Sequence, residues 1–457
     1  MAATNGSTGT ELELLDIATR VAGWADDGEQ VEVFVAEELE TEVRAYQGAV
    51  ESFTSARSQG IGVRVVADRR QGYAYAGTLD PSALSETLQE ARDNAAFAEP
   101  DEFNGVAEPD GVAPVGLDLF DPSLNDFSTD DKVALALELE RATLAADERI
   151  SGIESAEYVD TRFESAVATS TGIASAGRET GCYLTTYAMA EADGETQTGF
   201  GYSIGRGPEV LDVDFAASQA AERATRLLGA VKPPTSKLTV VLDPWVSAQL
   251  LGIIGGTLSG DAVQRGRSIF ADRIGEQVAV TEFCLLDDAT NIEAFAASAV
   301  DGEGLATRPT SLIDSGVLQG FLHNSYTARR GATSSTGSAV RAGFKGAPGV
   351  GSQALALRAG TRSPEELIAG IDDGLLVQGV AGLHSGVNPV SGDFSTGAEG
   401  LRIRDGALAE PVREITIAST LQRILLDITE IGNDLQWLPM SAVGVSLVIS
   451  DVMMSGA

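Results

Sequence analysis

Histidine, cysteine and lysine are scarce in this chain of 457 residues. It holds two histidines, His323 and His384, and two cysteines, Cys182 and Cys284. Neither a His-Glu-x-x-His nor a Cys-x-x-Cys occurs. A zinc site draws three or four ligands from imidazole, thiolate and carboxylate. So few nitrogen and sulfur donors argue against an intrinsic one. A small disulfide scaffold is excluded as well, and both thiols are expected to be buried and inert. Long apolar runs are missing too. The stretches Trp245–Gly260 and Trp437–Ser450 fall short of the roughly 20 residues that a membrane-spanning helix needs. The first twenty residues lack a basic n-region and an apolar h-region, so a standard signal peptide is not expected and the chain reads as cytoplasmic. No P-loop is present, and no Gly-x-Gly-x-x-Gly sits between a strand and a helix.

Only four lysines occur, and the other 27 basic residues are arginines, set against 67 acidic residues. The formal net charge is −36. Direct nucleic-acid binding needs a basic footprint that displaces counterions. None is visible, and anionic membrane is disfavoured for the same reason. The hydrophobic share of 43% and charged share of 21% are those of an ordinary globular protein. The length suits two or three domains.

Periodicity divides the chain. Glu11–Trp24 has a helical period, with polar caps available at Thr8 and Thr10. Gln30–Ala36 alternates toward strand, and Thr41 to Ala76 holds further strand candidates with a hairpin turn at residues 67–70. Pro81 opens a helix that runs to about Phe97. Glu99–Ser128 is rich in Pro, Gly and Asp and reads as a linker or a long loop. Thr129–Asp147 is helical, strand-like pieces fill Ile150–Tyr202, and a helix covers about Val213–Leu228. Residues 9–98 and 129–230 therefore repeat one order of helix, strands and helix. A strand and a helix opened by Asp243-Pro244 follow. Further helices are expected over Ser363–Asp372 and Ser419–Ile431. The fold class is α+β, with largely antiparallel sheets in both halves. We divide it into an N-terminal α+β domain (1–98), a linker (99–128), a central α+β domain (129–231) read as a repeat of the first, and a strand-rich α+β C-terminal domain (232–457).

Few constellations carry chemistry. Gly201-Tyr202-Ser203-Ile204-Gly205 matches Gly-x-Ser-x-Gly, but that nucleophile elbow needs a helix directly after the turn. Arg206-Gly207-Pro208 follows instead. His323 reads as a satisfied side chain beside a strand end, and His384 sits in a loop. Two Gly-rich segments stand out, Gly260–Ser268 and Gly386–Ala398. Such segments can present donors to an extended ligand, or they can be turns whose Asp and Asn satisfy local backbone.

These segments carry a resemblance. The stretches SGDAVQRGRSIFADRIGEQVA (Ser259–Ala279), DGEGLATRPTSLIDSGVLQGFLHNSYTARR (Asp301–Arg330), GVNPVSGDFSTGAEG (Gly386–Gly400), PVREITIASTL (Pro411–Leu421) and IGND (Ile431–Asp434) are similar to the TldD/PmbA family of DNA-gyrase modulators and peptidases. GIGVRVVADRRQGYAYAG (Gly60–Gly77) resembles the family's N-terminal block. In the TldD branch a helix carries His-Glu-x-x-x-His before the Gly-Asp, and a later cysteine completes a zinc site. Those positions here are Leu251, Gly252 and Gly256, with Asp434 near the cysteine position. The departure matches the PmbA (TldE) branch, which lacks the metal motif.

The resemblance implies a non-catalytic, zinc-free subunit with no cofactor of its own. Its partner would be a TldD-type zinc-bearing subunit, and its substrate unfolded protein or peptide held in extended form. The implied substrate contacts are Asp261, Arg265 and Arg267 in one segment and His384, Asn388 and Asp393 in or beside the other. Arg265 or Arg267 would take a peptide carboxylate. Leu251, Ile253 and Ile254 read as a packed core helix or as part of an interface. Two other readings stay open: an independent hydrolase using Ser203 with His323 or His384, and a regulatory protein-binding module.

The acidic excess fits adaptation to a salt-rich cytoplasm, or surface chemistry that keeps the protein soluble. Adaptation predicts a melting temperature that climbs as KCl is raised from millimolar to molar. Full stability without added salt excludes it.

Overall fold

The computed structural model describes residues 9–457, with side chains from Leu12 onward. The caps read at Thr8 and Thr10 lie outside the described side chains. The first repeat is α1 (Gly9–Ala22), β1 (Glu29–Tyr46), β2 (Ala49–Ala67), β3 (Arg70–Ala76) and α2 (Pro81–Phe97). After the short α3 (Ser123–Asp126) comes the second: α4 (Thr129–Ala145), β4 (Ile150–Thr169), β5 (Ala174–Ala192), β6 (Glu195–Gly205) and α5 (Val213–Arg226). All six strands form one antiparallel sheet in the order β3-β2-β1-β4-β5-β6, symmetric about the central β1–β4 pair.

The repeat extends to individual contacts. In β3 a Cβ on Gly72 would fall 2.0 Å from the Ala91 carbonyl oxygen of α2. In β6 a Cβ on Gly201 would fall 1.9 Å from the Ala216 carbonyl oxygen of α5. Each helix thus lies almost backbone to backbone on its strand, glycine facing alanine, an approach no larger residue permits. A capping box at Ser128 and Asp131 starts α4. The buried Lys132 of that helix pairs with Asp160 of β4 at 2.6 Å.

The strands are longer than their sequence pattern suggests. Gln30–Ala36 and the next candidate belong to one 18-residue strand, β1. The acidic run Glu37–Glu40 breaks the apolar alternation, yet its backbone stays paired with both β2 and β4. The expected helix over Ser419–Ile431 is also corrected. It is a six-residue helix, Leu421–Leu426, followed by a strand, Ile428–Ile431. Leu421, Ile424, Leu425, Ile428 and Ile431 mimic a helical period, but pairing with Leu447–Ile449 draws the last four residues into a sheet. The helix read over Ser363–Asp372 spans Pro364–Ala369.

The C-terminal half is built on β7 (Ser236–Leu242) and α6 (Pro244–Thr257). Its main sheet runs 407–420, 393–404, 373–381, β7, 447–455, 428–431. The β7 strand pairs parallel with Asp373–Ala381 and antiparallel with Leu447–Ser455. One buried cluster joins this sheet to α6 through Leu250, Leu251, Ile254 and Leu258.

Residues 99–128 hold α3 as their one regular element, yet they are fixed to the C-terminal half. Arg329 donates to the carbonyls of Phe103 (2.7 Å), Gly105 (2.6 Å) and Val106 (3.3 Å). A buried ionic network joins the halves more directly. Glu32 of β1 takes Arg64 of β2 on one oxygen and Arg341 on the other, each at 2.5 Å. Arg64 also reaches Glu303 at 3.3 Å.

Burial pushes the Glu32 carboxyl up, but the Arg64 and Arg341 guanidiniums outweigh it and hold it below the usual carboxylate range. Its stabilising contribution is therefore present above that range and is lost as pH falls through the lowered value. Removing one partner of a buried pair costs about 3–5 kcal/mol. Glu32→Gln should lose stability of that order in urea unfolding at neutral pH, and less in acid. A loss under about 1 kcal/mol at neutral pH contradicts the role given to the network.

Candidate functional site

The helix α6 starts where β7 ends. Asp243 caps it, its Oδ1 accepting from the Val246 N–H at 2.8 Å, and Pro244 takes the first turn. Burial pushes the Asp243 carboxyl up to about 6, against the pull of the Val246 N–H and Arg223. One face, with Val246, Leu250, Leu251 and Ile254, is buried. The other carries Trp245, Gln249, Gly252, Ile253 and Gly256 and is at least partly open. The spacing of Trp245, Gln249, Gly252 and Gly256 puts them in one stripe.

The metal-motif positions divide between these faces. Leu251 is fully buried in the core, in line with a packed helix. Gly252 and Gly256 lie on the open stripe and bring no donor atoms. Asp434 is engaged elsewhere, its oxygens accepting from the Ser446 N–H (3.0 Å) and Ser446 Oγ (2.7 Å). A zinc ion needs imidazole, thiolate or free carboxylate, and this donor set does not fit one. Among the described residues no group of three His, Cys, Asp or Glu side chains could hold a metal ion.

The segment Gly260–Ser268 begins as a short helix, α7 (Gly260–Gln264), capped by Ser259. Asp261 and Arg265 pair with each other, Nε to Oδ1, at 2.7 Å. Arg267 is exposed; its N–H donates to the Ala262 carbonyl at 2.7 Å, but its guanidinium has no hydrogen-bond or ion-pair partner among the described residues. In the second segment His384 is exposed on a helical turn, Leu383–Gly386. Asn388 Oδ1 accepts from the Val390 and Ser391 N–H groups at 2.9 and 3.2 Å. Asp393 Oδ2 accepts from Ser391 Oγ at 2.7 Å. The structure thus joins Asp261 to Arg265, and Asn388 to Asp393 through one turn. No hydrogen bond or ion pair links the two segments among the described residues.

The hydrolase constellation is not assembled. Ser203 lies within β6 opposite Leu184, not at a turn, and its Oγ accepts from the Asp212 N–H at 2.9 Å. His323 Nδ1 meets Thr327 Oγ1 at 3.2 Å, and burial lowers its pKa. Both cysteines are buried, and burial pushes the Cys182 thiol up to about 12.

A cavity of about 440 Å³ opens between the two halves beside the α6 stripe. Tyr187 and Phe200 line it from β5 and β6, Trp245 from α6. Phe200 and Trp245 meet edge to face with ring centroids 4.6 Å apart. Arg223 lies over the Phe200 ring at 4.5 Å, donates to the Phe200 carbonyl at 3.2 Å and faces Asp243 at 3.8 Å. Sequence reasoning missed this cavity, since Phe200, Arg223 and Trp245 come from separate elements. The stripe spacing on α6 was the one signal available.

Three domain models of the PmbA/TldA metallopeptidase family match the chain. Domain 1 covers residues 31–95, the central domain 122–228 and the C-terminal domain 235–456. The protein named metalloprotease PmbA from Escherichia coli O157:H7 is 29% identical over 427 residues, covering 93% of this chain and 91% of that one. The crystal structure of TldE from Thermococcus kodakarensis superposes with a TM-score of 0.88 at 21% identity, covering 98% of this chain and all of that one. A Thermotoga maritima structure described as a candidate modulator of a DNA gyrase gives 0.87 at 24% identity, over 97% of this chain and all of that one. No helix among the described residues is long and apolar enough to cross a membrane.

Two neighbouring glycines of α6 test which way the helix faces. A Cβ on Gly255 would fall 2.4 Å from Leu355 Cδ1, whereas one on Gly256 meets nothing within 4 Å. Gly256→Ala should stabilise by about 0.5–1 kcal/mol through helix propensity. Gly255→Ala should destabilise by about 1–3 kcal/mol through overpacking. Chemical denaturation of both variants checks this, and a reversed order contradicts the orientation of the stripe.

Proposed function

The chain belongs to the PmbA/TldD family, and from that membership we propose that it is the zinc-free subunit of a heteromeric metallopeptidase acting on unfolded proteins or peptides. The observation that carries this reading is α6. The helix keeps its place after β7 and before Gly260-Asp261, but at the metal-motif positions it offers Leu251, Gly252 and Gly256. Hydrolysis then falls to a TldD-type partner that supplies the zinc. This chain contributes walls and binding surface for an extended substrate. A net charge of −36 argues against nucleic acid as a direct partner, and the proposed setting is the cytoplasm.

Within that role Arg267 and His384 are the better placed of the candidate contacts, because both are exposed and neither side chain is held by a neighbour among the described residues. Arg267 is our candidate for a peptide carboxylate. Arg265 reaches substrate only by leaving Asp261. Asp261, Asn388 and Asp393 would act by shaping their segments, since each is tied to its own turn or helix. The hydrolase reading finds no support in Ser203, whose hydroxyl serves the backbone of Asp212.

The test is co-expression with a TldD-type subunit from the same source that carries His-Glu-x-x-x-His. The pair should cleave an unfolded polypeptide, lose that activity to a chelator, and exceed either chain alone by at least about tenfold. Cleavage by this chain alone, abolished by Ser203→Ala and indifferent to chelator, would falsify the proposal.

A further inference from the structure

Three neighbouring strands of the C-terminal sheet are irregular at one level. Pairing of Asp373–Ala381 with Asp393–Arg404 slips between Val377 and Gly379, which leaves Gln378 as the extra residue. Pairing of Asp393–Arg404 with Ala407–Thr420 slips between Ala398 and Gly400, where Glu399 stands opposite two residues, Arg413 and Glu414. On the third strand Glu414 adopts φ 53°, a left-handed conformation rare for a residue with a side chain. Such irregularities re-aim side chains and cluster beside functional sites. Here Gln378, Glu399 and Glu414 all line the 440 Å³ cavity. A Cβ on Gly379 would fall 2.8 Å from Glu399 Oε1. The missing side chain lets the Glu399 carboxylate lie across the neighbouring strand.

The cavity is rich in acceptors that nothing answers. The side-chain oxygen of Gln378 is buried without a partner. Neither Glu399 nor Glu414 has an ion pair or side-chain hydrogen bond among the described residues. The cavity's own cation, Arg223, is already committed to Asp243, the Phe200 carbonyl and the Phe200 ring. Trp245 and Tyr187 supply an aromatic wall, which suits an alkyl stem ending in positive charge. The volume lies within the roughly 300–1,000 Å³ of ordinary ligand sites. The strand edge beside it has no paired strand among the described residues. Asp373–Ala381 pairs with β7 only as far as Val377 opposite Leu242, so among the described residues Gln378–Ala381 has no strand neighbour on that side. An extended chain can pair with such an edge.

We propose that this cavity is a subsite for a lysine or arginine side chain of a peptide lying along the edge Gln378–Ala381. The alkyl stem rests on Trp245 and Tyr187, and the charged head meets Glu399, Glu414 and the Gln378 oxygen. Burial raises the Glu399 pKa, a cost that a bound cation relieves. The subsite rests on the peptide-binding part of the function proposed above, and it does not depend on where the zinc resides.

Calorimetry on the full chain tests this with acetylated, amidated tripeptides Ala-Xaa-Ala, where Xaa is lysine, arginine, norleucine or glutamate. Lysine and arginine peptides should bind at least about tenfold more tightly than norleucine, and glutamate most weakly. Glu399→Gln, near-isosteric, should remove the preference for lysine without moving the unfolding midpoint. Gly379→Ala, which crowds the carboxylate, should reduce it as well. Equal binding of lysine and norleucine peptides, or an unchanged preference in Glu399→Gln, overturns the subsite. If n-butylamine binds as tightly as the lysine peptide, the peptide assignment fails and the cavity is a site for free amines. Lysine selectivity without any zinc-bearing partner would leave the subsite standing and remove the heteromeric reading. A partner without selectivity would do the reverse.

Discussion

Glu32 sits where segments far apart in sequence converge, and each of its carboxylate oxygens takes a guanidinium, from Arg64 on one side and Arg341 on the other. Arg64 continues to Glu303. All four side chains are withdrawn from water, with exposures of 4% or less. Isolated charges in such a place would be prohibitively expensive. The two halves are therefore held in the arrangement that brings these four groups together. Apolar faces tolerate sliding, whereas a buried ionic network has one register. The cavity between β6, α6 and the strand Asp373–Ala381 exists only in that arrangement. So does the seating of residues 99–128 on Arg329.

The chemistry of the chain follows from what α6 has in place of donors. Its buried face is that of a core helix. Its open face carries an aromatic ring (Trp245), an amide (Gln249), an aliphatic chain (Ile253) and two glycines (Gly252 and Gly256). Such a face can line a passage for a polypeptide but cannot polarise a carbonyl. Polar groups sit instead one layer away, on bulged strands that carry Gln378, Glu399 and Glu414. In the function we propose, the division between a surface that holds substrate and a centre that cuts it runs between two subunits.

Much of this was legible in the sequence, and what was not has identifiable causes. The helices α2, α4, α5 and α6 announce themselves by capping residues and period, and the repeated order of helix, strands and helix is visible along the chain; that both repeats share one sheet through the β1–β4 pair is not, because that pairing is purely tertiary. The length of β1 was hidden because Glu37–Glu40 look like a break; continuous pairing on both sides overrides side-chain alternation there. Leu421–Ile431 misled for the opposite reason: a good helical period was cut short by a strand partner 200 residues from β7 in the chain but next to it in the sheet. At the site, the empty metal positions could be read by counting from Gly260-Asp261. The segments around Arg267 and His384 could be found by their glycines. The cavity could not, because Arg223, Trp245 and Glu399 meet only through tertiary packing. A β-bulge leaves no reliable mark on a single sequence.

The central claim is that this chain works beside a zinc-bearing relative. The most direct measurement is affinity isolation from a lysate of its native source at native salt, with mass spectrometry of what co-elutes and the ratio of the chains. The account predicts one stoichiometric partner of the same fold that carries His-Glu-x-x-x-His. Recovery of this chain alone, or with an unrelated protein in its place, contradicts it.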